Sequence, residues 1–302
     1  MQKSLLFLIF ICSLTACKKE LDFDYNEVTP FVVIEGQVTN EGTDISITKS
    51  RSVTDSVTRY SLPGAVVTVT AGGASETIPY DPHTQRYHSA FKGKAGETYK
   101  LMVDFEGQHY EGTSTMPAAA PILSTEFLWF EVMGERMVVY EVWATDPLPT
   151  ERNYYWWRMD RITHHPHFQN KPSTEPYRWS VFDNRGTPPG LLYRDVTCMS
   201  ERVAEEDEED NWKRILYEGD SIAFRLMSID RSVYEFFTSL RSGQSGGANP
   251  YTNLSGGCLG YFAAGSISRA SLMFHNADIQ TYKPFSELFP QTFSQEISKI
   301  CK

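Results

Sequence analysis

His164, His165 and His167 lie close together with Asp160 a few residues upstream. Imidazole and carboxylate are donor types that a transition metal takes. A strand would put His165 and His167 on one face and His164 on the other, and Pro166 disturbs that geometry. An exposed polar loop after a strand accounts for these residues with fewer assumptions. The acidic run from Glu205 to Asp210 could hold calcium, but it has neither the glycine nor the carboxylate spacing of a calcium loop. A solvated, self-repelling loop explains it better. Tyr154, Trp156, Trp157, Trp179 and Trp212 could offer rings for a sugar face to stack on. Adjacent Trp156 and Trp157 must face opposite sides of a strand, so core packing competes for them, while both are kept as candidate ligand or partner contacts. The chain shows no nucleophile elbow, P-loop, HExxH or Rossmann glycine pattern. No catalytic residue, metal or cofactor is therefore expected, and the favoured role is non-enzymatic.

Cys17 has a different chemistry. It closes Leu14-Thr15-Ala16-Cys17, after Lys3 and the apolar run Leu5 to Ile11. A positive end, a short apolar core and small residues before a cysteine resemble a bacterial lipoprotein signal. The resemblance implies cleavage before Cys17 and acylation of the new N-terminus. The run is too short to span a bilayer as a retained helix. Several acyl chains anchor durably, since each buried methylene contributes about 0.8 kcal/mol. Cys17 to Thr29 then reads as an acidic tether, and acidic residues just after a lipidated cysteine resemble the surface-export signal of Bacteroidetes lipoproteins.

The elements that must position these groups are strands. Aromatic content is high and glycine and proline are moderate, as in a folded β-rich chain. The balance is acidic, 38 Asp and Glu against 28 Lys and Arg, which argues against nucleic acid as a partner. Of the five cysteines, Cys198, Cys258 and Cys301 remain after the signal and the lipid site, and their pairing is open. The pattern predicts four parts: a signal peptide over 1–16, an acidic tether over 17–29, a β-sandwich over 30–117 and a larger C-terminal β-rich domain over 121–302. The sandwich is read as immunoglobulin-like or transthyretin-like from its dense short strands and turns, with Gly36 marking a bulge and the Met116 to Pro121 segment marking the boundary. The second part is antiparallel, with one amphipathic helix over Asp230 to Ser242. Val233, Phe236, Phe237 and Leu240 form the apolar stripe, and Ser232 or Asp230 is the cap. Leu259 to Phe274 is expected to form a last strand pair.

Between helix and last strands, Gln244 to Gly257 is a long Gly/Ser/Asn connection. A loop of that length in a compact domain is more often functional or disordered than idle. Asn249, Pro250 and Asn253 are its candidate contacts with a receptor or ligand, against the alternative of a packed loop whose amides cap their own backbone. Asp55-Ser56-Val57 and Asp220-Ser221-Ile222 resemble a periplasmic O-glycosylation acceptor, although three-residue patterns recur by chance.

Three segments together resemble a known family, the Bacteroidetes outer-membrane lipoproteins catalogued as domain of unknown function 4249. They are Val32 to Gly36; Leu62 to Val69 with Tyr99-Lys100-Leu101 and Tyr110; and Asn249-Pro250, Asn253 and Gly256 to Phe262. The resemblance covers nearly all of the chain after Cys17. It implies an outer-membrane lipoprotein that works with a TonB-dependent receptor, and it brings no catalytic residues. The expected function is capture or uptake of a nutrient beside such a receptor, on a membrane reached through the N-terminal lipid. The alternatives are a surface hydrolase of glycans or peptides, and an adhesin or structural surface protein. A pocket of close carboxylates with one strongly perturbed would favour the hydrolase.

Overall fold

The computed structural model describes residues 29–51, 61–132, 135–163, 173–185, 193–197, 216–243 and 249–279. Cys17, the three histidines, the acidic run, Ser56, Trp212, Cys198 and Cys301 lie outside the described residues.

Apolar alternation with β-branched residues builds fifteen strands in the described chain. The first eight are β1 (Val32–Thr39), β2 (Thr43–Lys49), β3 (Val66–Ala71), β4 (Ala74–Thr77), β5 (Tyr80–Asp81), β6 (Arg86–Ser89), β7 (Thr98–Phe105) and β8 (Gln108–Thr115). Next come β9 (Ile122–Val132), β10 (Glu135–Ala144), β11 (Tyr154–Thr163), β12 (Ser173–Asp183), β13 (Tyr193–Thr197) and β14 (Ser221–Ile229). The helix α1 (Arg231–Gly243) precedes the last strand, β15 (Leu259–Met273). The fold is mostly β with this one α-helix among the described residues, as the sequence implied.

Three sheets organise the chain. A long sheet runs β12-β11-β14-β15-β1-β2-β6-β5, beside a four-stranded sheet β4-β3-β7-β8 and a three-stranded sheet β13-β10-β9. One face of the long sheet carries two cores side by side. At one end, Ile34, Val38, Ile45 and Ile47 of β1 and β2 meet Val67, Val69, Tyr99, Leu101 and Val103 of the four-stranded sheet. At the other, Tyr155, Trp157 and Met159 of β11 and Ile222, Phe224 and Leu226 of β14 meet Val138, Tyr140 and Val142 of β10. These are the inward residues of each alternation, so the period of two along each strand selects the face. The opposite face of the long sheet carries α1.

Two expectations about organisation need correction. Within 30–117, β3, β4, β7 and β8 form a sheet of their own, but β1, β2, β5 and β6 belong to the long sheet with strands of the second part. β1 pairs in parallel with β15, from Val33↔Leu259 to Thr39↔Gly265, and β15 pairs antiparallel with β14. The sheet thus crosses the expected boundary, because β15 supplies Phe262 and Ala264 to the first core and Leu272 to the second. Leu259 to Phe274 is accordingly one long strand rather than a pair, since its length lets it serve both halves.

Gly36 is also not a bulge: its register with Phe262 and Ile45 is unbroken. A Cβ there would lie 3.1 Å from the Phe262 ring and 3.3 Å from Leu101, so the glycine makes room for those side chains. A hairpin turns across Glu106-Gly107 between β7 and β8. In the β9–β10 hairpin, Val138, Val139 and Tyr140 of β10 are all at 0% exposure, so both faces of that strand are covered there, while Leu123 of β9 is exposed.

Candidate binding surfaces around the helix

The local sequence fixes where α1 begins. Asp230 is the cap: its Oδ1 accepts from the Val233 backbone N–H at 3.0 Å and from the Ser232 hydroxyl. Such a cap satisfies one of the four free N–H groups of the first turn. The other oxygen, Oδ2, accepts from the Ser114 hydroxyl and the Thr115 N–H of β8. Asp230 thereby ties the helix start to the first half of the molecule. The stripe behaves as its spacing predicts: Val233, Phe236 and Phe237 are buried, and Leu240 is partly buried against the same cluster.

The two adjacent tryptophans divide as strand geometry requires. Trp157 is 6% exposed and stacks on Phe224 at 6.2 Å inside the second core. Trp156 is half-buried on the helix side, 4.5 Å from the Phe237 ring and 6.1 Å from Tyr261. Neither forms an open stacking platform. The exposed ring of this face belongs to Trp179, 42% exposed and 5.5 Å from Phe237. Trp179 was one of five candidate aromatics, and nothing in the sequence singled it out. Its accessibility comes from its outer position on β12 beside the helix.

The loop after α1 is pinned at several points. The Tyr251 N–H donates to the Ser239 hydroxyl at 2.8 Å. The Asn253 side chain accepts from the Phe262 N–H at 2.9 Å and donates to the Phe262 carbonyl at 2.7 Å, mimicking a strand partner for β15. It also donates to the Ser232 hydroxyl of α1. The Asn253 amide is thus committed to the loop's own architecture, the packed alternative for this segment, while Asn249 is exposed and Pro250 half-buried. Replacing Asn253 with alanine should lower stability by roughly 2 kcal/mol, because two backbone groups of Phe262 lose their partner. Asn249→Ala should change it by less than about 0.5 kcal/mol. Urea unfolding of the two variants checks this, and equal effects would refute the assignment.

A cleft of about 580 Å³ opens where the two halves meet the helix start. Met116 and Pro117, Pro147 and Leu148, Arg152, Tyr154 and Ser228 contribute to its wall. Asn153 shapes the β10–β11 connection by donating to Asp146 and to the Leu148 carbonyl. Arg152 reaches Asp183 at 2.9 Å and lies over the Tyr154 ring. At the back, the Ser228 hydroxyl is buried without a hydrogen-bond partner. A volume of this size falls within the range of small-molecule sites. The sequence reading missed the cleft, since its wall comes from both sides of the expected domain boundary.

Also missed was a row of arginines on the helix side of the long sheet. Arg158 of β11 pairs directly with Arg225 of β14, and Arg225 pairs directly with Arg269 of β15. Each comes from a different strand, and only register brings them together.

The Ser221 acceptor pattern opens β14, where Ser221 pairs with Met273 and Asp220 is 1% exposed. Cys258 is buried with a free thiol, and burial pushes its pKa up to about 11, away from thiolate chemistry.

Residues 18–271 match the model of the family described as Domain of unknown function (DUF4249). No curated protein matches the chain. Among solved structures, the alpha chain of the chicken interferon gamma receptor aligns at 8% identity over 67% of this chain and 90% of that one. Its TM-score is 0.15, so the likeness carries no argument.

Proposed function

The chain belongs to the family described as Domain of unknown function (DUF4249), and from that premise we propose that it is a lipid-anchored outer-membrane protein working with a TonB-dependent receptor in nutrient capture. The observation that carries the reading is the Leu14-Thr15-Ala16-Cys17 box behind a short apolar run. In this reading Cys17 holds the lipid, and residues 18–29 act as a tether of roughly 40 Å when extended. The tether enters the fold at β1, in the middle of the long sheet, so the anchor pulls on a strand paired along both edges.

The arrangement of charges suits binding better than hydrolysis. Both oxygens of Asp230, the carboxylate nearest the helix end of the cleft, accept hydrogen bonds from neighbouring groups. Among the described residues, carboxylates elsewhere with displaced pKa values are held low by their partners, as Glu41 is by Arg269, Glu111 by Lys100 and His109, and Glu218 by the Asn276 N–H and His275. A general acid needs the opposite displacement. The cleft, with wall residues from both halves and an unfilled hydroxyl at its back, offers room for a ligand or a receptor segment.

Replacing Cys17 with alanine should release the protein from the outer-membrane fraction and abolish its acylation, read by fractionation and by mass of the N-terminal peptide. Detergent extraction of the native form should bring a TonB-dependent receptor with it. A C17A form still processed and membrane-bound would refute the anchor, and a native form that reproducibly purifies without any such receptor would refute the partnership.

A further inference from the structure

Directly opposed side chains on neighbouring strands are about 5 Å apart at the backbone, and like charges in such positions destabilise a sheet. Arg158, Arg225 and Arg269 occupy three consecutive positions of this kind. The outer two are compensated. Arg158 bonds Asp160 at 2.7 Å, and Arg269 grips both oxygens of Glu41 at 2.6 Å. The central one is not compensated in this way. Arg225 donates to the neutral amide oxygen of Gln37 at 2.7 Å and approaches the Met227 sulfur, a weak acceptor. Its guanidinium lies 5.5 Å from the centre of the Trp156 ring. Glu41 acts on it only through space. Desolvation and the Arg269 charge both hold the Arg225 pKa below the usual arginine range, so the cation is poorly accommodated as it stands.

On the same face the Trp156 indole N–H is buried and has no hydrogen-bond partner. The row ends at an aromatic ring, because Arg158 pairs on its other side with Trp179, 42% exposed. The charge count along the row is three cations against two carboxylates. One positive charge remains, and it sits on the central residue. A monoanion balances it, whereas a dianion would meet Glu41 and Asp160.

We propose that Arg225, between Arg158 and Arg269, binds a carboxylate group, and that Trp179 supplies the flat face for a ring of the same ligand. Guanidinium and carboxylate match in planar, two-pronged geometry. Two strand spacings separate Arg225 from Trp179, a reach of about 10 Å, which suits a ligand of about two rings. The site stands apart from the cleft described above. It goes beyond the receptor reading and holds whether or not that reading does: its test uses the isolated full chain, while the receptor reading is tested in membranes.

The experiment is calorimetric titration of the full-length protein in detergent with a disaccharide ending in one uronate, with naphthoate, with neutral cellobiose and with inorganic phosphate. Saturable binding of at least one carboxylate probe is expected, with cellobiose and phosphate weaker by at least about tenfold. The first two arms separate an acidic sugar from an aromatic acid. Arg225→Gln should weaken the carboxylate by about tenfold or more, whereas Arg185→Gln, a change at an exposed arginine just after β12, should leave it unchanged. Should R225Q fail to fold, Arg158→Gln tests the same row and should weaken binding severalfold. Equal affinity for cellobiose or phosphate, full affinity in the folded R225Q or R158Q variant, or no saturable binding of either carboxylate would overturn the proposal.

Discussion

Phe237→Ala is expected to destabilise the protein by about 3–5 kcal/mol, the range for removing a buried aromatic ring. Phe237 is 5% exposed and stands at the centre of the helix-side cluster. Its ring lies 4.5 Å from Trp156, 5.0 Å from Tyr261, 5.1 Å from Phe236 and 5.5 Å from Trp179. Truncation leaves a cavity that the sheet cannot close, because Trp156 and Tyr261 are fixed by strand register and Gln37 bonds the Tyr261 hydroxyl. The helix also loses a main hold on the sheet, since Arg231, Thr238 and Arg241 on its other side are exposed and contribute no burial. Urea unfolding followed by tryptophan fluorescence measures the loss, with Thr238→Ala as the exposed control. A change below about 1 kcal/mol would show that the helix is not held by this ring.

That helix was the most legible element of the chain because its evidence is local. Apolar residues at Val233, Phe236, Phe237 and Leu240 specify the face, and Asp230 specifies the start. The hairpins were legible for the same reason: alternation gives the face, and residues such as Glu106-Gly107 give the turn. What was hidden depends on partners distant in sequence. Gly260 meets Ile34 more than two hundred positions away, and no local pattern marks that pairing. Met116-Pro117 reads as a linker because proline ends strands, yet the Ser266 hydroxyl donates to the Pro117 carbonyl and Asp230 binds Ser114 and Thr115 just before it. The candidate contacts show the same limit. The sequence placed Trp156 and Trp157 on opposite faces but could not say which face was covered. Asn253 looked like an exposed amide because its hydrogen-bonding partner, Phe262, offers only backbone.

The joining of the two halves makes Gly260→Ala the sharpest test of the fold. Gly260 sits in β15 at φ +106°, a left-handed backbone that L side chains rarely adopt. A Cβ there would lie 1.9 Å from the Ile34 carbonyl oxygen, with the Ile34 carbonyl carbon at 2.7 Å and its nitrogen at 3.0 Å. These are backbone atoms of β1, so no side-chain rotation relieves the clash. Either β1 or β15 must move, and each is paired on both edges. Strain and overpacking together should cost roughly 3–5 kcal/mol. Gly257→Ala separates the two contributions, because Gly257 also has positive φ, +81°, but its Cβ would meet nothing within 4 Å. That variant should lose only about 1 kcal/mol. The pattern of the loss matters as much as its size. If β15 unites the molecule, hydrogen exchange in G260A should quicken in β7 and β8 of the first half and in β11 and β14 of the second half together. Exchange that quickens in one half alone would mean that the halves hold themselves together separately, as the expected boundary near Met116 supposed, and that the β1–β15 pairing contributes little to either.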